Sequence, residues 1–153
     1  MASNQSCRAA GEVGALMTPE PMTAPPDTPV GEVWRTMTER RFRHMPVVKD
    51  GGGLVGIVTQ RDLLLAAQGS EQRIDFDDRR PVSGLMVREV DTVRPECCAA
   101  EAARHMLRKK RSCLPVVDET GAVVGILTEA DYMRLSTRGV PPCSCGGVRA
   151  AGS

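Results

Sequence analysis

The chain repeats itself. Sliding the sequence along itself by 69 residues aligns Leu16–Gln68 with Leu85–Thr137 without a gap, and 17 of the 53 positions are identical. The matches include Leu16-Met17 with Leu85-Met86, Pro46-Val47-Val48 with Pro115-Val116-Val117, and Thr59 and Asp62 with Thr128 and Asp131. A duplication of this length constrains the fold more than any composition does, because each copy must form the same small unit and the two must stack to bury their apolar faces. The 153 residues divide into a flexible start (1–15), repeat one (16–68), a charged linker (69–83), repeat two (84–137) and a flexible tail (138–153).

Each copy reads as β-α-β-β-α, an α+β unit. Met22-Thr23-Ala24 predicts a short extended segment closed by Pro25-Pro26. Val30, Val33, Trp34 and Met37 then recur at helical spacing, with Thr28 as N-cap and Pro29 in the first turn. Repeat two keeps the spacing with Ala99, Ala102, Ala103, Met106 and Leu107. Met45–Val48 and Leu54–Val58 flank Gly51-Gly52-Gly53, the pattern of a hairpin. Its second strand lacks polar alternation, so both faces are expected to be covered. A second helix opens at Asp62. One unit is too small to bury its sheet, and two packed together would share a core.

Bulk properties exclude several functions. The net charge is +1 and aromatic residues are 3% of the chain, a poor match to single-stranded nucleic-acid binding, which stacks bases on aromatic rings. No apolar run is long enough to span a membrane and no secretory h-region opens the chain, so the expected compartment is the cytoplasm. The six cysteines show no scaffold spacing. Cys97, Cys98 and Cys113 read as small buried hydrophobes. Cys143-Ser144-Cys145 offers two sulfurs, too few for structural zinc, so no metal is expected. No nucleophile elbow, HExxH or P-loop occurs, and no enzyme is expected. The basic runs Arg40-Arg41-Phe42-Arg43 and Arg108-Lys109-Lys110-Arg111 close the first helix of each repeat, where cations favour the helix dipole; an anion patch is the alternative.

The strings Gly56-Ile57-Val58-Thr59-Gln60-Arg61-Asp62 and Gly125-Ile126-Leu127-Thr128-Glu129-Ala130-Asp131 carry the chemistry. Thr-x-x-Asp at a strand-to-helix junction is a capping box, worth about 1 kcal/mol. The same geometry suits a nucleotide: helix N–H groups and a threonine hydroxyl for phosphate, a carboxylate for a ribose diol. Gly56 in the preceding strand permits close approach of a ligand or of backbone. The residues alone leave both readings open.

These strings, with Leu16-Met17-Thr18-Pro19, Leu85-Met86, His44-Met45-Pro46-Val47-Val48 and Cys113-Leu114-Pro115-Val116-Val117, resemble a tandem pair of CBS domains over residues 16–137. The resemblance implies two repeats packed through their sheets with pseudo-two-fold symmetry and two clefts between them. It implies an adenosine ligand there (AMP, ADP, ATP, S-adenosylmethionine or a dinucleotide) and no resident cofactor. Asp62 and Asp131 would hold ribose hydroxyls, and Thr59 and Thr128 would sit near phosphate. His44, Met45, Cys113 and Leu114 would line the adenine pocket, with Thr18–Met22 and Arg88–Asp91 covering the base. A homodimer through the helices and a protein effector acting in trans are also implied. Arg61, where repeat two has Ala130, predicts tighter binding of phosphorylated ligands in the first cleft, or else a solvated first-turn residue. The rival functions are a ligand-free dimeric scaffold and, less favoured, a nucleic-acid-binding regulator using the basic helix ends.

Overall fold

A computed structural model of the chain describes residues 11–67 and 74–138. In chain order the elements are α1 (Val13–Leu16), β1 (Thr18–Pro19), α2 (Val30–Arg40), β2 (His44–Val48), β3 (Leu54–Thr59) and α3 (Gln60–Ala66). A 3-10 turn (Val82–Gly84) leads to α4 (Ala99–Lys109), β4 (Cys113–Val117), β5 (Val123–Thr128) and α5 (Glu129–Thr137). This is the expected α+β duplication. Both hairpins form, β2 against β3 and β4 against β5, each antiparallel with a bulge between its two adjacent valines, Val47/Val48 and Val116/Val117. Gly52 and Gly121 turn them at φ 85° and 84°, a conformation glycine adopts without Cβ strain.

The extended segment predicted at Met22–Ala24 shrinks to a single parallel bridge, Ala24 on Val47, matched by Val93 on Val116. The expected cap also moves. Pro29 occupies the N-cap position of α2 and no side chain caps it. The orphan Val30 N–H instead donates to Arg80 O at 3.0 Å, and its counterpart, Ala99 N–H, donates to Gly11 O at 2.9 Å. The chain therefore ties each helix start with backbone from outside the predicted repeats.

Two boundaries need correction. The start expected to be flexible through Ala15 contains α1, with Val13 fully buried. The linker expected to be solvated through residue 83 buries Val82 and lays Phe76 against Trp34, ring centroids 5.5 Å apart. Both corrections share a cause: the opening of each repeat crosses to the other. Met86 and Val82 join the core of Val33, Met37, Val47 and Val58, whereas Val13, Leu16 and Met17 pack with Met106, Leu114 and Leu127. The buried side chains thus form two cores, each completed by the other repeat's opening.

The glycines of the repeated string are where this crossing seats. A Cβ on Gly56 would lie 2.6 Å from Met86 Sδ and 3.0 Å from Val87 O; one on Gly125 would lie 2.2 Å from Met17 Sδ. The approach Gly56 permits is that of the other repeat's opening. Val87 and Ile57 exchange backbone hydrogen bonds of 2.8 and 3.0 Å, and β1 pairs with β5 at Thr18 and Ile126. No helix among the described residues is long and apolar enough to cross a membrane.

Candidate functional site

The crossing brings Asp62 beside the second repeat. A cavity of about 160 Å³ is walled on one side by Ile57, Thr59 and Asp62. Its opposite walls are Val87, Glu89, Val90 and Asp91 and the loop Lys110–Cys113. Of the residues singled out from sequence, Thr59, Asp62 and Cys113 meet here. Arg61 is exposed and outside the lining. Met45 and Leu114 are each 2% exposed and belong to the two cores. His44 stands at the repeat interface, its Nε2 2.9 Å from Ser112 Oγ. Cys143 and Cys145 lie outside the described residues. Among those described, no group of three His, Cys, Asp or Glu side chains gathers to hold a metal.

Asp62 does two jobs with one side chain. Its Oδ2 accepts the Thr59 backbone N–H at 2.8 Å and the Thr59 hydroxyl at 2.7 Å, and the Asp62 N–H returns to Thr59 Oγ1 at 3.2 Å. The capping box is therefore real. It engages a single carboxylate oxygen: among the described residues no donor reaches Oδ1. An ionised carboxylate has about four acceptor sites, so roughly two remain. Capping and ligand binding were posed as rivals, and the geometry allows both.

Asp131 repeats the first half of this arrangement. Its Oδ2 accepts the Thr128 N–H at 2.7 Å and the Thr128 hydroxyl at 3.0 Å. Its Oδ1 is engaged as well, by the Arg134 guanidinium and by the Thr18 hydroxyl at 3.4 Å. Asp131 is 3% exposed, whereas Asp62 is partly open.

The cavity carries both signs of charge. Arg111 Nε bonds Asp91 Oδ2 at 3.0 Å and holds that carboxyl below the usual range. His105 Nε2 lies 3.3 Å from the same oxygen, close enough for attraction but not aligned as a hydrogen bond. Lys110 makes no ion pair among the described residues. It sits at φ 52°, left-handed backbone that a side chain adopts at a cost of roughly 1–2 kcal/mol. Burial lowers the pKa of His44, and burial pushes the Cys113 thiol up to about 12, so Cys113 lines the wall as a neutral, weakly nucleophilic group.

In the sequence Lys110 and Arg111 read as cations ending a helix, with an anion patch as the alternative. Their signal was present: Lys110 stands 69 residues after Arg41, which is also left-handed at φ 58°. In both repeats the next residue returns its N–H to the methionine five residues back, Phe42 to Met37 O and Arg111 to Met106 O, at 3.1 and 2.9 Å. This helix end projects the basic loop across the repeat boundary.

Comparison with known proteins places this geometry. The CBS domain family matches residues 12–69 and again 82–138. The chain belongs to the CBS-domain family, as a tandem pair. It is similar to CBSX2, solved in complex with AMP, at 30% identity and a TM-score of 0.71, covering 83% of this chain and 96% of that one. It is also similar to the CBS domain pair of protein MJ0100, solved with 5-methylthioadenosine and S-adenosyl-L-methionine (27% identity, TM-score 0.71, 84% and 98% covered). Among curated proteins it is 43% identical over 113 residues to inosine-5'-monophosphate dehydrogenase of Thermoplasma acidophilum, covering 72% of this chain. The chain spans about a fifth of such relatives (21%), and only this stretch is shared.

Proposed function

We propose that the protein is a non-catalytic regulatory module that binds an adenosine ligand in the cavity at Asp62. The observation that carries this reading is that Asp62, whose Oδ1 meets no donor among the described residues, lines a cavity that the second repeat completes. A vicinal diol supplies two hydroxyl donors, the number of acceptor sites Asp62 has left. Support also comes from the ligands of the two similar structures, AMP, 5-methylthioadenosine and S-adenosylmethionine, all of which contain adenosine. In this reading Thr59 lies toward phosphate, Cys113 and His44 toward the base side, and Lys110 supplies an unpaired cation for a phosphorylated ligand. At about 160 Å³ the cavity is below the roughly 300 Å³ at which ligand pockets usually begin, so one part of the ligand enters and the rest lies along the mouth.

Because one wall comes from each repeat, a bound ligand bridges the halves. It favours one packing of the halves to the extent that it binds that packing more tightly, and a protein effector reads the difference. The dimer is part of the same proposal. Leu64 and Leu65 on α3 and Met133 on α5 are 47%, 78% and 69% exposed, an apolar surface that a second copy would cover. Sedimentation of Leu65→Glu and Met133→Glu against the parent tests it.

The binding test is thermal unfolding with AMP, ADP, ATP, S-adenosylmethionine and NAD. A ligand at 100 times its Kd adds about 2.7 kcal/mol, a Tm rise of roughly 5–10 °C. Asp62→Ala should abolish the rise. Its own lost cap, about 1 kcal/mol, is separated by comparing each variant with and without ligand. No rise with any compound at millimolar concentration overturns the reading in favour of a ligand-free scaffold.

A further inference from the structure

We propose that Arg134 and Thr18 keep the second cleft closed by standing where a ligand would at Asp131, so that the chain takes one adenosine ligand and not two. This inference rests on the reading of Asp62 given above. Two of the positions that differ between the repeats supply donors to Asp131. Arg134 aligns with Leu65, and Thr18 aligns with Val87. Both differences add a hydrogen-bond donor on the second side and none on the first.

Asp131 Oδ2 takes two donors from Thr128, and Oδ1 takes the Arg134 guanidinium and the Thr18 hydroxyl. Four donors meet about four acceptor sites, and none remains for a diol. The Arg134 bond is charge-assisted, and a neutral hydroxyl would exchange a stronger partner for a weaker one. At Asp62 the equivalent positions are Leu65, 78% exposed in the single chain, and Val87, which lines the cavity, and neither side chain carries a donor. Asp131 is 3% exposed against a partly open Asp62, the burial expected when the space beside a carboxylate is filled from within. Arg134 itself remains 65% exposed along its side chain, so its removal disturbs little packing.

Isothermal titration with AMP tests the proposal. The parent should bind one equivalent, lost in Asp62→Ala and kept in Asp131→Ala. Arg134→Leu, or Arg134→Gln should the leucine variant fold poorly, should bind two, with the second lost when Asp131→Ala is added. The reverse change, Leu65→Arg, installs the same i, i+3 donor beside Asp62 and should weaken AMP binding at least tenfold. Two equivalents in the parent, or one in Arg134→Leu, overturn the proposal and leave the Asp62 reading standing. No binding by the parent but one Asp131-dependent equivalent in Arg134→Leu supports the proposal and overturns the Asp62 reading. No AMP binding by either overturns the proposal, and the Asp62 reading falls with it if none of the five compounds raises the Tm.

Discussion

Replacing Gly56 by alanine tests the crossed packing on which the cavity depends. The new Cβ would stand 2.6 Å from Met86 Sδ, 2.8 Å from Met86 Cγ and 3.0 Å from Val87 O. Ordinary carbon contacts lie near 3.5–4.0 Å, so Met86 must retreat by about 1 Å. It is only 9% exposed and packs in the first core, so the retreat displaces its neighbours. The Val87 carbonyl cannot yield freely, because it accepts the Ile57 N–H at 3.0 Å. Overpacking of this kind costs typically 1–3 kcal/mol. At about 2 kcal/mol the Tm should fall by roughly 4–8 °C for a domain of this size. The assay is thermal and urea unfolding of the parent, Gly56→Ala, Met86→Ala and the double variant. Met86→Ala alone should cost about 2–5 kcal/mol as a core truncation. In the double variant the shortened side chain relieves the clash, so the two effects should fall short of additivity by about 1 kcal/mol or more. A Gly56→Ala protein within 0.5 kcal/mol of the parent, or strict additivity, would refute the reasoning.

Other outcomes follow from the same structure. Phe76→Ala should cost about 1 kcal/mol and shift the emission of Trp34, the single tryptophan, to longer wavelength, because the ring packed against it is removed; unchanged emission would mean that the linker does not dock. His44 has a folded pKa below its ordinary 6.5 because of burial, so between the two values the unfolded chain binds more protons. Stability should therefore decline as pH falls through about 6.5, and His44→Gln should flatten that slope in urea melts at pH 7.5 and 5.5. Cys113, with its thiol pushed up to about 12, should resist iodoacetamide at pH 8 far longer than an unfolded-chain cysteine when followed by peptide mass spectrometry. Rapid labelling of Cys113 would contradict its burial at the cavity wall.

The parts legible in the sequence were the local ones. The hairpins follow from apolar runs around Gly52 and Gly121, and α2 and α4 follow from apolar spacing that ends in buried Met37 and Met106. The junction helices follow from Thr-x-x-Asp, whose capping bonds are set within four residues. The crossing of the openings was not legible, because Met86 over Gly56 and Met17 over Gly125 join residues that no local pattern connects. The repeat itself held the missing clue: a glycine and a Leu-Met pair present in both copies, with no local reason for either. Thr59, Asp62 and Cys113, all singled out from sequence, line one cavity. Leu114 follows Cys113 on β4 and Met45 follows His44 on β2, and because side chains alternate along a strand both belong to the cores. Arg134 lies beyond the repeated string, and Thr18, expected to cover a base, reaches Asp131 instead.

The most direct measurement is a crystal structure of the protein grown with AMP. The account predicts the ribose hydroxyls at hydrogen-bond distance, about 2.6–3.0 Å, from Asp62 Oδ1, with the Thr59 bonds to Oδ2 intact. The rest of the nucleotide should lie between Val87–Asp91 and Lys110–Cys113. AMP bound elsewhere, or an Asp62 carboxylate that keeps only its Thr59 partners at saturating nucleotide, would contradict it.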